Sequence, residues 1–173
     1  MENFVETFKV VPVSVPQNYS GTATMTYEYI NMKHAKKATY IINMGTIATG
    51  GAVRFGVATS KSGTTGTTTV ASMDLGMPHY WISNAATAAA SCDVYTKTTV
   101  TADTFNIAST MSSKLIILEV DANKMGTFSK SSVTYDANYL TLLVTTGGAD
   151  FVSCECILTG YRYKEDAPAS VLA

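Results

Sequence analysis

The chain has 173 residues, of which 46% are hydrophobic and 14% are charged, and its formal net charge is −1. This length suits one domain with its own core. Because the near-neutral charge provides no positive field for phosphate groups, we expect no nucleic-acid partner. No apolar run reaches the length of a membrane-spanning helix, and the acidic start at residues 1–6 lacks the features of a signal peptide, so we expect a soluble chain with no membrane partner.

The low content of charged residues is informative about the surface. The value of 14% is well below the roughly 25% of ordinary soluble domains, so Thr, Ser, Asn and Gly must cover much of the surface. Uncharged polar groups lose little hydration energy when a neighbouring protein covers them, which is typical of proteins that live inside an assembly. The same composition is also typical of any Thr-rich β protein.

Short runs of β-branched and aromatic residues recur along the chain, separated by Gly, Asn, Asp and Pro, and helical periodicity is hard to find. The runs predict strands over residues 8–15, 22–27, 38–44, 52–59, 67–73, 80–83, 93–101, 104–108, 114–120, 139–145 and 151–163. Such a series, without helices between the strands, predicts an all-β fold. We expect a two-sheet antiparallel sandwich of the jelly-roll or Greek-key type.

The first strand-like run contains Pro12 and Pro16, which cannot donate backbone hydrogen bonds. We therefore predict an N-terminal arm or edge strand over residues 1–20, a β-sandwich domain over 21–163 and a C-terminal tail over 164–173. An arm and a tail are segments that can become ordered on a neighbouring subunit.

Glycines and small polar residues mark the connections between strands. Gly50 and Gly51, and the glycines at 147 and 148, supply the positive φ angles of tight turns, so we predict a hairpin at each place. The small polar stretch 60–68 predicts an exposed loop.

The histidines and cysteines do not form a recognisable chemical site. His34 lies among lysines, which indicates a solvated turn, and His79 lies beside the only tryptophan, which indicates packing. Cys154 and Cys156 are two apart on a predicted strand, so they point to the same face and make a good apolar pair but a poor disulfide. With Cys92 they give an odd total of three, which fits a reducing compartment better than a disulfide framework.

Carboxylates occur in pairs that could be imagined for acid–base chemistry, Glu119 with Asp121 and Asp93 with Asp103. Nothing in the sequence brings the pairs together, and Asp121 with Asn123 lacks the spacing of an EF-hand. The motifs of a nucleophile elbow and of a phosphate-binding loop are missing. We therefore expect no enzyme activity and no catalytic, metal or cofactor site.

Four aromatic residues, Tyr80, Trp81, Tyr161 and Tyr163, lie in predicted strands. Packing in the core or in an interface is one interpretation, and a stacking platform for a carbohydrate or a peptide is the other. The second interpretation corresponds to a glycan-binding receptor-recognition module.

Three stretches resemble small bacteriophage virion proteins of the capsid decoration or cement type. They are YINMKHAKKATYII at 29–42, LEVDA at 118–122 and ILTGYRY at 157–163. The likeness spans residues 25–163 in order and pattern, and it consists of strand and turn sequences, without a chemical signature.

The resemblance implies a jelly-roll or related sandwich on the capsid surface of a virion that is assembled in the bacterial cytoplasm. The implied partners are the major capsid protein and further copies of this chain, as a homo-oligomer, and no catalytic residues are implied. A tail or head–tail connector component is the alternative within the virion, distinguished by its assembly into rings or tubes.

Overall fold

The computed structural model of the chain describes residues 8–19, 24–26, 28–60, 68–70, 79–83, 94–99, 104–130, 133–146 and 150–160. These residues form strands and two single-turn 3₁₀ helices, Ser109–Met111 and Ala122–Lys124. The strands are β1 (Lys9–Tyr19), β2 (Thr24–Thr26), β3 (Ile30–Asn31), β4 (Lys37–Met44), β5 (Gly51–Ala58), β6 (Thr68–Val70), β7 (His79–Ser83), β8 (Tyr95–Thr99), β9 (Phe105–Ile107), β10 (Leu115–Asp121), β11 (Thr127–Lys130), β12 (Val133–Asp136), β13 (Tyr139–Thr146) and β14 (Asp150–Thr159). The predicted all-β class is confirmed.

Most of the strands belong to two antiparallel sheets. The first sheet has the order β1-β14-β4-β10-β7-β8. In the second sheet β13 pairs with β5. The other side of β13 pairs with β2 and β3, and the other side of β5 pairs with β6 and β9. A separate two-stranded ribbon consists of β11 and β12. The predicted two-sheet antiparallel sandwich is thus confirmed.

The strand pairs are nested along the chain, as in one long hairpin. From the outermost pair inward they are β1 with β14, β2 and β3 with β13, β4 with β10, and β5 with β6. Successive pairs alternate between the first and the second sheet. This alternation produces a jelly roll, and β7 and β8 extend its first sheet beyond β10.

The core lies between the two sheets, and strand alternation explains its membership. Along β4, Ala38, Tyr40, Ile42 and Met44 are buried, while the residues between them are not, because successive side chains of a strand point to opposite faces. Strand β10 has the same alternation. Phe55, Leu140 and Leu142 of the second sheet join the same cluster. Each fully buried side chain of this kind contributes roughly 1.5–3 kcal/mol, so the cluster is the main source of stability.

The hairpins predicted at the glycine pairs are wrong. Strands β4 and β5 flank Gly50 but belong to different sheets, as do β13 and β14, which flank residues 147–149. Gly50 has a φ of +82°, as expected of a turn glycine. A positive φ shows only that the chain bends, and it does not reveal which sheet the next strand joins.

Three strands lie outside the predicted runs, namely β3, β11 and β12. They are two to four residues long and rich in polar residues, so they carry little of the hydrophobic pattern from which strands are predicted. Strand β1 continues past Pro16 and pairs with β14 at the edge of the first sheet, with irregular register between Pro12 and Gln17. Prolines are tolerated there because an edge strand leaves donors unused.

Two of the predicted segments, the C-terminal tail and the small polar loop, cannot be compared with the structure. The tail over 164–173 and most of the loop over 60–68 lie outside the described residues. Within the described residues, no helix has the length and apolar character needed to cross a membrane.

Candidate functional site

The outward side of the first sheet, here called the outer face, presents a row of side chains that crosses every strand of the sheet. Cross-strand register places the members in the order Pro12, Glu155, Ile41, Ile117, Trp81 and Lys97. The three apolar residues at the centre are half buried, and the members at both ends are exposed. With about 4.8 Å between neighbouring strands, the row is roughly 24 Å wide.

A second row on the outer face runs from Val10 through Ile157 and Thr39 to Glu119. Val10 is 43% exposed. At the other end of the row, Lys37 Nζ lies 3.2 Å from Glu119 Oε1, in an exposed ion pair that contributes only about 0–1 kcal/mol. The outer face therefore combines accessible apolar side chains with several charged groups.

A shallow depression lies on the outer face where β10, β7 and β8 meet. Its lining consists of Trp81, Tyr95, Ile117 and Glu119, and its volume is about 290 Å³; it is called the Trp81 depression below. The Lys97 Nζ atom lies 5.7 Å from the centroid of the Trp81 ring, within the range of a cation–π interaction. Tyr95 is 40% exposed, so the depression offers two aromatic side chains beside a carboxylate.

A second depression, at one end of the sandwich, has a volume of about 260 Å³. It lies between the turn before β4, the 3₁₀ helix after β10 and residues 137–138, and its polar groups come from Lys33, Lys36, Asn123 and Asn138. Two ammonium groups suit a small anion. Both lysines are exposed, so the depression holds no desolvated charge that selects a particular ligand.

The two cysteines of β14 lie as the sequence predicts, on one face, and both are buried free thiols. Across the strand they face Ile42 and Tyr40. Burial raises the pKa of both thiols far above the usual value. Since the thiolate is the reactive and metal-binding form, Cys154 and Cys156 act as apolar core residues. Cys92 lies outside the described residues.

The predicted carboxylate pair lies at the end of β10, and each member has a structural partner. Glu119 forms the ion pair with Lys37. Asp121 Oδ1 accepts a hydrogen bond from the Asn123 N–H at 2.9 Å and thereby caps the following 3₁₀ turn. The positions of the other predicted pair, 93 and 103, lie outside the described residues.

The two histidines belong to other segments of the chain than these carboxylates. His34 is half buried in the turn between β3 and β4, and His79 opens β7. Within the described ranges, no three His, Cys, Asp or Glu side chains are grouped as a metal site would require.

Tyr80 and Trp81, two members of the predicted aromatic platform, do not lie on one face. Tyr80 and Trp81 are consecutive in β7 and point to opposite faces, with Tyr80 packed against the core. Tyr95 takes the place beside Trp81, and sequence reasoning missed it because only the pairing of β7 with β8 brings it there. Tyr161 and Tyr163 lie outside the described residues.

Comparison with known proteins does not assign the chain to a family. No protein-family model matches the chain, and comparisons with curated proteins and with solved structures find no match. The chemistry of the outer face is therefore the basis for a functional proposal.

Proposed function

We propose that this protein is a structural protein of a bacteriophage virion, a capsid decoration protein that binds and stabilises the assembled shell. The observation that supports this function best is the outer face of the first sheet. At its β1 edge this face exposes Val10 and Pro12, and the charged Glu155 lies beside them on β14. Protein–protein interfaces likewise combine accessible apolar side chains with polar and charged ones.

The β1–β14 margin of the outer face is the part that we assign to shell contact. Val10 is 43% exposed and lies opposite Ile157, while Pro12 and Glu155 form the next outward-facing pair of these strands. Covering Val10 and Ile157 removes apolar surface from water at little cost in polar desolvation. A modest contact of this kind becomes firm when it is repeated over many symmetric copies, or when the copies also bind one another.

Two further features agree with the proposal. Jelly rolls are found among viral capsid domains and lectins, although a fold by itself does not determine a function. A charged fraction of only 14% suits a chain whose surface is largely covered by the major capsid protein and by further copies of itself.

The proposal is tested by co-sedimentation with shells that lack the protein and, separately, with free coat protein. We expect binding to shells only, and better survival of the decorated shells on heating. Val10→Asp should abolish shell binding because it places a charge in the apolar contact. Val94→Asp is the matched control, since Val94 has a similar exposure, 47% against 43%, and lies next to β8 at the opposite edge. Equal binding to shells and free coat protein, or equal loss in both variants, contradicts the proposal.

A tail or head–tail connector role remains the second proposal within the virion. It requires the isolated protein to assemble into rings or tubes, because connectors and tail tubes are closed or stacked oligomers. Negative-stain images that show only small oligomers, together with shell binding, decide for the decoration role.

A further inference from the structure

We propose that the Trp81 depression binds one sugar ring of a glycan. This binding function goes beyond shell attachment and does not depend on it. The depression lies at the β7–β8 margin of the first sheet, whereas the proposed shell contact lies at the β1–β14 margin. Both sites can therefore be used by one molecule.

The aromatic side chains provide the stacking surface. Trp81 and Tyr95 line the depression together with Ile117. A pyranose ring has an apolar face of C–H groups, which is attracted to the negative face of an aromatic ring. The Lys97 ammonium lies 5.7 Å from the Trp81 centroid, within the range at which an aromatic ring attracts a positively polarised group.

The charged groups around the rings provide the hydrogen bonds that a sugar needs. Glu119 lines the depression and accepts hydrogen bonds, and its Oε1 atom lies 3.2 Å from Lys37 Nζ. Lys97 lies beside Trp81, and its ammonium group donates hydrogen bonds. Hydroxyl groups both donate and accept, so a sugar can use the acid and the ammonium at the same time.

Two other ligand classes fit less well. A cationic group would compete with Lys97 for the Trp81 ring and with Lys37 for Glu119. A wholly apolar molecule needs a pocket that removes most of its surface from water, and an open, shallow depression with a carboxylate in its wall does not provide one. A neutral, amphipathic sugar ring carries no positive charge that Lys97 and Lys37 would repel, and it can bind in an open depression.

The single tryptophan of the chain is Trp81, so its fluorescence and its indole N–H resonance report on this depression alone. The purified full chain is applied to a glycan array and titrated with the methyl glycosides of glucose, galactose, N-acetylglucosamine and rhamnose. We expect retention of the chain by some glycans of the array, and a saturable change in both Trp81 signals with a glycoside that those glycans contain. Tetramethylammonium serves as the cationic probe and should leave both signals unchanged.

Matched variants separate the site from the rest of the outer face. Glu119→Gln removes the charged acceptor and should weaken glycoside binding by about tenfold. Glu155→Gln neutralises a carboxylate that lies in the same cross-strand row as Trp81 but three strands away, and it should leave glycoside binding unchanged. Trp81→Leu should abolish retention on the array while shell binding persists.

An array without retention, together with Trp81 signals that no glycoside changes, overturns the sugar proposal. So does a saturable response to tetramethylammonium alone, which would assign the depression to cationic groups. Neither result affects the shell-binding test, which depends on Val10 and Ile157.

Discussion

Tyr40 of β4 lies directly opposite Cys156 of β14, and both side chains are completely buried between the two sheets. The Tyr40 ring packs against Phe55 with 5.5 Å between the ring centroids. Within the described part of the chain, the Tyr40 hydroxyl is a buried polar atom without a hydrogen-bond partner. The loss of hydration of this hydroxyl is therefore not offset by a hydrogen bond to any described residue.

Replacing Tyr40 by Phe removes this hydroxyl and keeps the ring. Because an unsatisfied buried polar group costs about 1–3 kcal/mol, we expect Tyr40→Phe to raise the free energy of unfolding by about 1 kcal/mol, as measured by urea denaturation. Tyr40→Leu also removes the ring contact with Phe55 and should lower stability by about 1 kcal/mol or more. A loss of stability in Tyr40→Phe would show that the hydroxyl is hydrogen-bonded.

Alkaline conditions should weaken the fold through the same part of the core. Burial, with a smaller contribution from neighbouring ionisable groups, raises the pKa of Tyr40, Cys154 and Cys156 in the folded chain. In the unfolded chain a thiol ionises near pH 8.5 and a tyrosine near pH 10. The folded state retains protons that the unfolded state releases, so stability is full below about pH 8.5 and falls above it.

Urea unfolding at a series of pH values measures this loss. Above pH 8.5 each buried thiol should contribute a decline of up to about 1.4 kcal/mol per pH unit. The double variant Cys154→Ala, Cys156→Ala should be less stable at neutral pH and show a shallower decline. An unchanged decline in the double variant would mean that other groups cause it.

The alternation of apolar and polar residues made the strands and the sandwich predictable. The same rule correctly places Cys154 and Cys156 on one face, and it also separates Tyr80 from Trp81, which the predicted aromatic platform overlooked. The order of the strands in the sheets was harder to predict from the sequence. Gly50 indicates a bend both when the next strand stays in the same sheet and when it joins the other sheet. The Trp81 depression depends on register, because Tyr95 reaches Trp81 only through the pairing of Ser83 with Tyr95 and of Trp81 with Lys97.

Neighbouring residues of β10 should differ sharply in their contribution to stability. Leu118 is fully buried, whereas Ile117 lies half buried on the outer face. Leu118→Ala should lower the free energy of unfolding by about 2–5 kcal/mol, and Ile117→Ala by about 1 kcal/mol, because only the first leaves a closed cavity. Urea denaturation compares the two variants. Equal losses would contradict the assignment of Ile117 to the accessible side of the sheet.

Gly50 lies in the connection where the chain crosses from the first sheet to the second. A glycine is needed there for two reasons, its positive φ angle and the lack of space for a side chain. A Cβ atom at this position would collide with the backbone carbonyl of Ile107. Gly126 is a matched control, because its φ of +52° is also in the left-handed region while a Cβ atom there meets nothing within 4 Å.

We expect Gly126→Ala to lower the free energy of unfolding by about 1–2 kcal/mol through backbone strain alone. Gly50→Ala should cost at least about 1 kcal/mol more, since Ile107 is paired with Gly51 in the second sheet and a backbone carbonyl cannot yield as a flexible side chain can. Thermal and urea unfolding of both variants measure the difference. Equal losses of stability in the two variants would mean that β9 can move away from residue 50 at no cost in free energy. The close approach of Gly50 to Ile107 would then not be needed for stability.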